Sequence, residues 1–173
     1  LLTVVGALCL WGGYTWASKA SKVSVITQML AEADAPQVVT RAGQLGAVSL
    51  ADSSRARLGA DTKIVMVKGF GREYRSASVS GTAAIAVAAG NALPLEVRLG
   101  DAAVFSDGAE FAVRDFADEP LRFVLAMADG VRVKVGESER TLKSGELIAI
   151  PRGGAMRDAT AEEATQAFSC LDG

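Results

Sequence analysis

Histidine is absent from this chain of 173 residues. That one absence excludes His-based catalytic triads, imidazole general bases and His-ligated metal sites. Cysteine is nearly absent: Cys9 and Cys170 stand at opposite ends, which offers neither a disulfide framework nor a CxxC zinc site. Charge of one sign is also lacking. A net charge of −2 gives no electrostatic footprint for nucleic acid. Locally, the lack of charge is complete: no Asp, Glu, Lys or Arg occurs in Leu1–Ala17.

What fills that uncharged stretch is LLTVVGALCLWGGYTWA. As a helix it would be about 25 Å long at 1.5 Å rise per residue, close to a hydrocarbon core of roughly 30 Å. Leu1, Leu8 and Leu10 supply the apolar surface. Trp11, Tyr14 and Trp16 sit together where an apolar ring with a polar tip favours the water–lipid boundary. A secretory signal is the alternative, with small residues at Ser18-Lys19-Ala20 suited to cleavage; we expect a retained anchor over residues 1–18. Cys9 follows Leu8 rather than a small residue, so it reads as an apolar filler and not a lipidation site. Gly6, Gly12 and Gly13 would allow another helix to approach closely. Lys19 and Lys22 alone would pull the following side toward the cytoplasm.

Residues 19–36 read as a helical linker, with Val25, Met29 and Leu30 near helical spacing and Pro36 as the stop. From Pro36 to Pro151 short apolar runs alternate with Gly, Asp, Asn and Ser, the rhythm of a β domain over residues 37–151. The clearest pair is Leu121–Met127 and Val131–Val135 around Asp129-Gly130, a tight-turn dipeptide. On the first, Leu121, Phe123, Leu125 and Met127 share a face opposite Arg122. Further strands are expected at Ala47–Leu50, Arg55–Leu58, Ile64–Lys68, Ser76–Val79, Thr82–Ala88, Leu95–Leu99, Ala102–Ser106, Glu110–Arg114, Thr141–Leu142 and Leu147–Ile150. The Ala-rich Thr82–Ala88 is a strand by its flanks only. The expected architecture is mainly β: an antiparallel sandwich or rolled sheet behind one transmembrane helix. In the tail, residues 152–173, Thr160-Ala-Glu-Glu163 is a capping box that opens a short helix, with Ala164, Ala167, Phe168 and Leu171 on its apolar face.

Order and spacing make the β pattern more specific. Thr40-Arg-Ala-Gly43, Val48-Ser-Leu-Ala-Asp-Ser-Ser54 and Ala56-Arg-Leu-Gly-Ala-Asp-Thr62 resemble the opening of a FecR domain. Val79-Ser-Gly-Thr-Ala-Ala-Ile-Ala-Val87, Leu93-Pro-Leu-Glu-Val97, Gly108-Ala-Glu-Phe-Ala-Val113, Val131–Val135 and Leu142-Lys-Ser-Gly-Glu146 are similar to its later segments, in order, over about residues 38–150. Two positions depart: Ser53 stands where the family has a turn Gly, and Gly59 where it has Asn. The resemblance implies an antiparallel β domain outside the cytoplasmic membrane, behind a single helix of the bacterial inner membrane. It places the domain in the periplasm, and often makes it part of a transmembrane protein that controls a sigma factor. Signalling members carry a cytoplasmic segment before the helix; the sequence from Leu1 onward shows none, so the expectation is that the sigma-control role lacks its working part.

Catalytic patterns are weak. Lys68-Gly-Phe-Gly-Arg72 lacks the spacing of a phosphate loop. Ser53-Ser54 lacks the strand-to-helix elbow of a serine nucleophile. Asp101, Asp107, Glu110, Asp115, Asp118 and Glu119 fall at strand ends and read as solvated turns. The expectation is therefore a non-enzymatic accessory subunit. Its helix would lie in membrane lipids against an integral-membrane complex of respiratory, photosynthetic or secretion type, and its β domain would dock on the periplasmic face. Arg72, Tyr74 and Arg75 form a candidate docking edge. No metal, nucleic acid or small-molecule substrate is expected, and no cofactor beyond a contact of Trp11 or Trp16 with a partner's pigment or lipid. The alternative is a FecR-like regulator of a sigma factor.

Overall fold

The computed structural model describes residues 25–168. The expected membrane segment, with Leu1, Gly6, Leu8, Leu10, Trp11, Gly12, Gly13, Tyr14 and Trp16, lies outside the described residues. Among the described residues no helix is long and apolar enough to cross a membrane.

Thirteen strands follow a short helical stretch at residues 25–30. They are β1 (Gln37–Val39), β2 (Gly46–Ser49), β3 (Arg55–Leu58), β4 (Lys63–Met66), β5 (Ser76–Ala86), β6 (Leu95–Leu99) and β7 (Ala102–Ser106). Then come β8 (Phe111–Asp115), β9 (Leu121–Ala126), β10 (Val131–Val135), β11 (Ser138–Leu142), β12 (Leu147–Pro151) and β13 (Arg157–Asp158), before a helix at Ala161–Ala167. The sheet curls into two halves around one core. The first half runs β1-β4-β5-β6-β7-β10-β11, and the second runs β2-β3-β5-β8-β9-β12-β13.

β5 belongs to both. Its first part pairs with β4 and β6, its last part with β3 and β8. The sequence suggested two strands here, Ser76–Val79 and Thr82–Ala88, split by Ser80-Gly81. They are one strand, bent at Gly81. That residue has φ +113, and a Cβ there would lie 2.5 Å from Thr62 Oγ1 and 2.7 Å from its Cα. Only glycine adopts this backbone with a neighbour so close. Thr62 uses the space: its buried hydroxyl accepts the Thr82 N–H at 2.9 Å. Thr40 adds to the stitch, accepting the Thr62 N–H at 3.0 Å and donating to the Gly59 carbonyl at 2.6 Å.

Two expectations about pairing are corrected. The sheet is mixed, because Ser76–Ser78 run parallel to Glu96–Arg98; residues 87–94 carry the chain from the end of β5 back to its start. More consequential, β9 and β10 do not form a hairpin. β9 pairs with β8 and β12 in the second half, and β10 with β7 and β11 in the first. The Asp129-Gly130 turn is a corner between halves, with Gly130 at φ +95 and the Asp129 carboxylate accepting the Ser144 N–H at 2.8 Å. The two-residue hairpin lies next door at Gly136-Glu137, between Val135 and Ser138. Sequence spacing marked only Thr141–Leu142 of β11 and overlooked β1 and β13.

The two faces of β9 go to different clusters. Val124 and Ala126 enter the main core with Phe111, Leu58, Ile85 and Ile150. The opposite face, Leu121 and Phe123, packs with Ala149, Ala167 and Phe168 in a smaller cluster beneath the C-terminal helix. That helix opens as expected: Thr160 caps the Glu163 N–H and Glu163 reaches back to the Thr160 N–H. Before β1, Ile26, Met29 and Leu30 pack on the main core, while Val25, expected on the same face, is exposed.

Candidate functional site: a buried charge node beside a surface groove

Of the expected docking residues, Arg72 is exposed, Tyr74 half-buried and Arg75 buried. The segment is a turn between β4 and β5 rather than a strand edge. Arg75 points inward. Its Nε donates to Asp52 Oδ2 at 2.8 Å, its Nη1 to the Leu93 carbonyl at 2.6 Å and its Nη2 to the Ala88 carbonyl at 3.1 Å. Asp52 is equally enclosed. It accepts the Ser54 N–H at 3.0 Å and the Ser54 hydroxyl at 2.8 Å, and Ser54 Oγ accepts the Ala88 N–H at 2.9 Å. An Asp hydrogen-bonding two residues onward is ordinary turn chemistry, so the Asp52–Ser54 half was readable in the sequence. The Arg75 half comes from 23 residues away and left no local signal.

The node anchors three connections, the β2–β3 turn, the β4–β5 turn and the loop after β5. Ser53, at its tip, has φ +71, the left-handed backbone for which glycine is the usual residue. Above the node lies a shallow groove formed by Ile26, Tyr74, Leu93, Pro94 and Phe105, with Ser76 and Glu96 in its floor. Nearby, Lys68 Nζ lies 2.5 Å from Asp34 and 3.3 Å from Glu32. Hydrogen bonding to Asp34, then to Glu32, holds the Lys68 ammonium above its ordinary range, and Lys68 holds the Asp34 carboxyl below its own. These pairs tether the linker, although exposed pairs contribute little to stability.

A second ionic cluster joins the two halves. Arg122, on the face of β9 opposite Leu121 and Phe123, is buried between Asp101 and Asp115. Asp115 also accepts from Arg152 at 2.6 Å, and Arg152 reaches the Glu119 carbonyl at 2.8 Å. Arg114 pairs with Glu119 and lies over the Phe116 ring at 4.7 Å. Asp115 and Glu119 are thus ion-paired and at least partly enclosed rather than solvated, whereas Asp101 makes its ion pair from an exposed turn. Each has a guanidinium partner, an arrangement suited to fixing loops rather than to pairing an acid with a base. Among the described residues no group of three or more His, Cys, Asp or Glu could hold a metal.

The sequence profile described as FecR protein matches residues 36–126, more than half of the chain. The chain belongs to the FecR family. The matched region ends with β9, so β10–β13 complete both halves of this FecR domain beyond it. Two crystal structures, at 2.50 and 1.65 Å resolution, are similar in fold; each is described as a candidate anti-sigma factor from Parabacteroides distasonis ATCC 8503. Identity is 23% and 24%, the TM-score is 0.66 for both, and 75% of this chain is covered. The match covers 62% and 63% of those chains, so this chain spans less than two thirds of their length. No curated protein matches.

Family membership and these neighbours correct the expected partner. A FecR-family chain that shares its fold with candidate anti-sigma factors does not support a subunit docked on a respiratory, photosynthetic or secretion complex.

Proposed function

We propose that this FecR-family protein is a transmembrane signalling regulator that controls a sigma factor. In this reading residues 1–18 anchor it in the inner membrane and the β domain stands in the periplasm as its receiving part. The observation that carries the reading is the FecR match over 36–126, supported by the fold shared with candidate anti-sigma factors. The geometry suits a receiver. Ile26, Met29 and Leu30 of the linker pack on the same core that holds both sheet halves, and Lys68 grips Glu32 and Asp34. A shift of the β domain therefore reaches the linker directly. The role is regulatory rather than catalytic.

Deleting the gene tests it. Transcripts of one sigma-factor regulon should change and return on complementation with the full-length protein. Alkaline phosphatase fused after Pro36 should be active, as required for a periplasmic domain. An unchanged transcriptome, or an inactive fusion with the expected amount of protein, would reject the reading.

A further inference from the structure

The four outer edges of the folded sheet are not alike. β11 carries Glu139 and Arg140, β13 has two residues, and β1 has three and follows Pro36. Charge, brevity and proline are common ways of blunting an edge against pairing. β2, with sequence GAVS, has no charge and no proline. The pairing fixes which groups it leaves open. Leu50 N–H donates to the Ser54 carbonyl at 2.8 Å, and Val48 lies opposite Ala56 in the same register. Antiparallel pairs alternate, so Gly46 and Val48 bond to β3, while the N–H and C=O groups of Ala47 and Ser49 point away from the sheet.

The neighbouring side chains select for sign. Arg55 and Arg57 lie directly opposite Ser49 and Ala47 and are exposed. Arg55 has no ion-pair partner among the described residues, and Arg57 has only Glu110 at 4.0 Å. Ala47 and Ser49 are short, so both guanidinium groups can reach across them to a strand laid on the open edge. Leu45, 55% exposed, continues the same outer row.

We propose that the free edge of β2 binds an extended acidic peptide strand of a partner by β-addition. Main-chain groups of Ala47 and Ser49 supply the ladder. Arg55 and Arg57 read carboxylates on alternate residues of the added strand. A second copy is disfavoured, because pairing β2 with itself would bring two sets of these arginines together on one face. The proposal goes beyond the regulatory reading and stands whether or not the chain controls a sigma factor.

The test titrates the full chain in detergent micelles with a synthetic nine-residue peptide alternating Val and Glu, followed by fluorescence anisotropy and amide exchange. Binding should slow exchange at Ala47 and Ser49, and the Val–Lys counterpart should bind at least tenfold more weakly. Arg55→Glu with Arg57→Glu should reverse that preference. Ala47→Pro should abolish binding, since the Ala47 N–H takes no part in the ladder to β3. The exposed arginine variants keep the test decisive if the proline variant fails to fold. Equal affinity for the two peptides, a preference unmoved by charge reversal, protection elsewhere, or no binding at millimolar peptide would overturn the proposal. So would a concentration-dependent dimer abolished by Ala47→Pro, which would assign the edge to a second copy.

Discussion

Replacing Asp52 by Ala should be among the most damaging single changes in the domain. The Asp52 side chain is 0% exposed and that of Arg75 4%, so neither is solvated by bulk water. The carboxylate accepts from Ser54 N–H, Ser54 Oγ and Arg75 Nε within 3.0 Å. Without it, Arg75 retains the Leu93 and Ala88 carbonyls, but its charge is buried with no counter-charge beside it. Breaking a buried pair from one side costs about 3–5 kcal/mol, a large share of the roughly 5–15 kcal/mol that holds an ordinary domain. Asp52→Asn keeps an acceptor for the Ser54 N–H and loses the charge, so it should cost about 2 kcal/mol, near the range of charged hydrogen bonds. Arg75→Met should match Asp52→Ala by stranding the carboxylate. The double variant Asp52→Ala/Arg75→Met should cost less than the sum of the two, because it strands neither group. Urea unfolding followed by far-ultraviolet circular dichroism reads all four. Asp52→Ala within about 1 kcal/mol of the parent, or a double variant equal to the sum, would refute the reasoning.

Other outcomes follow from backbone and pH. Gly81→Ala should cost about 3–5 kcal/mol, combining disfavoured backbone with a clash against Thr62; a folded variant of near-parent midpoint would contradict the bend. Ser53→Gly should raise the thermal midpoint slightly, relieving a left-handed cost of about 1–2 kcal/mol against an added chain entropy of about 0.5–1 kcal/mol. Ser53→Ala should not, and a fall in Ser53→Gly would refute it. Glu163 is held down at about 2 by hydrogen bonds from Arg157 and the Thr160 backbone. A depressed carboxyl contributes fully above its unfolded value of 4.5 and loses that contribution as pH falls toward the folded value. Amide protection in the C-terminal helix should therefore decline between those two pH values, and Glu163→Gln should remove the step.

Strands bounded by turn residues could be read from the sequence, and β3, β6, β7 and β10 were placed to the residue. The capping box was legible because it is complete within four residues. Partners were not. Asp129-Gly130 has the chemistry of a hairpin turn, and the same chemistry serves a corner; the choice depends on whether β9 meets β8 and β12 before it meets β10. Period two in β9 told that its faces differ but not which faced the larger core, since the helix at Ala161–Ala167, far along the chain, covers Phe123. Arg75 illustrates the limit for the candidate site. Beside Arg72 and Tyr74 it reads as surface, and only the folded chain brings Asp52 beneath it.

β5 has a mechanical consequence. In a sandwich whose sheets meet only through side chains, one layer can slide over the other by repacking. Here the layers share backbone, and sliding would break the hydrogen bonds of β5 to β3, β4, β6 and β8. The domain should therefore unfold as one cooperative unit. A push on either layer is carried through β5 into the other, and through Ile26, Met29 and Leu30 into the linker packed on the same core, instead of being absorbed as shear between the layers.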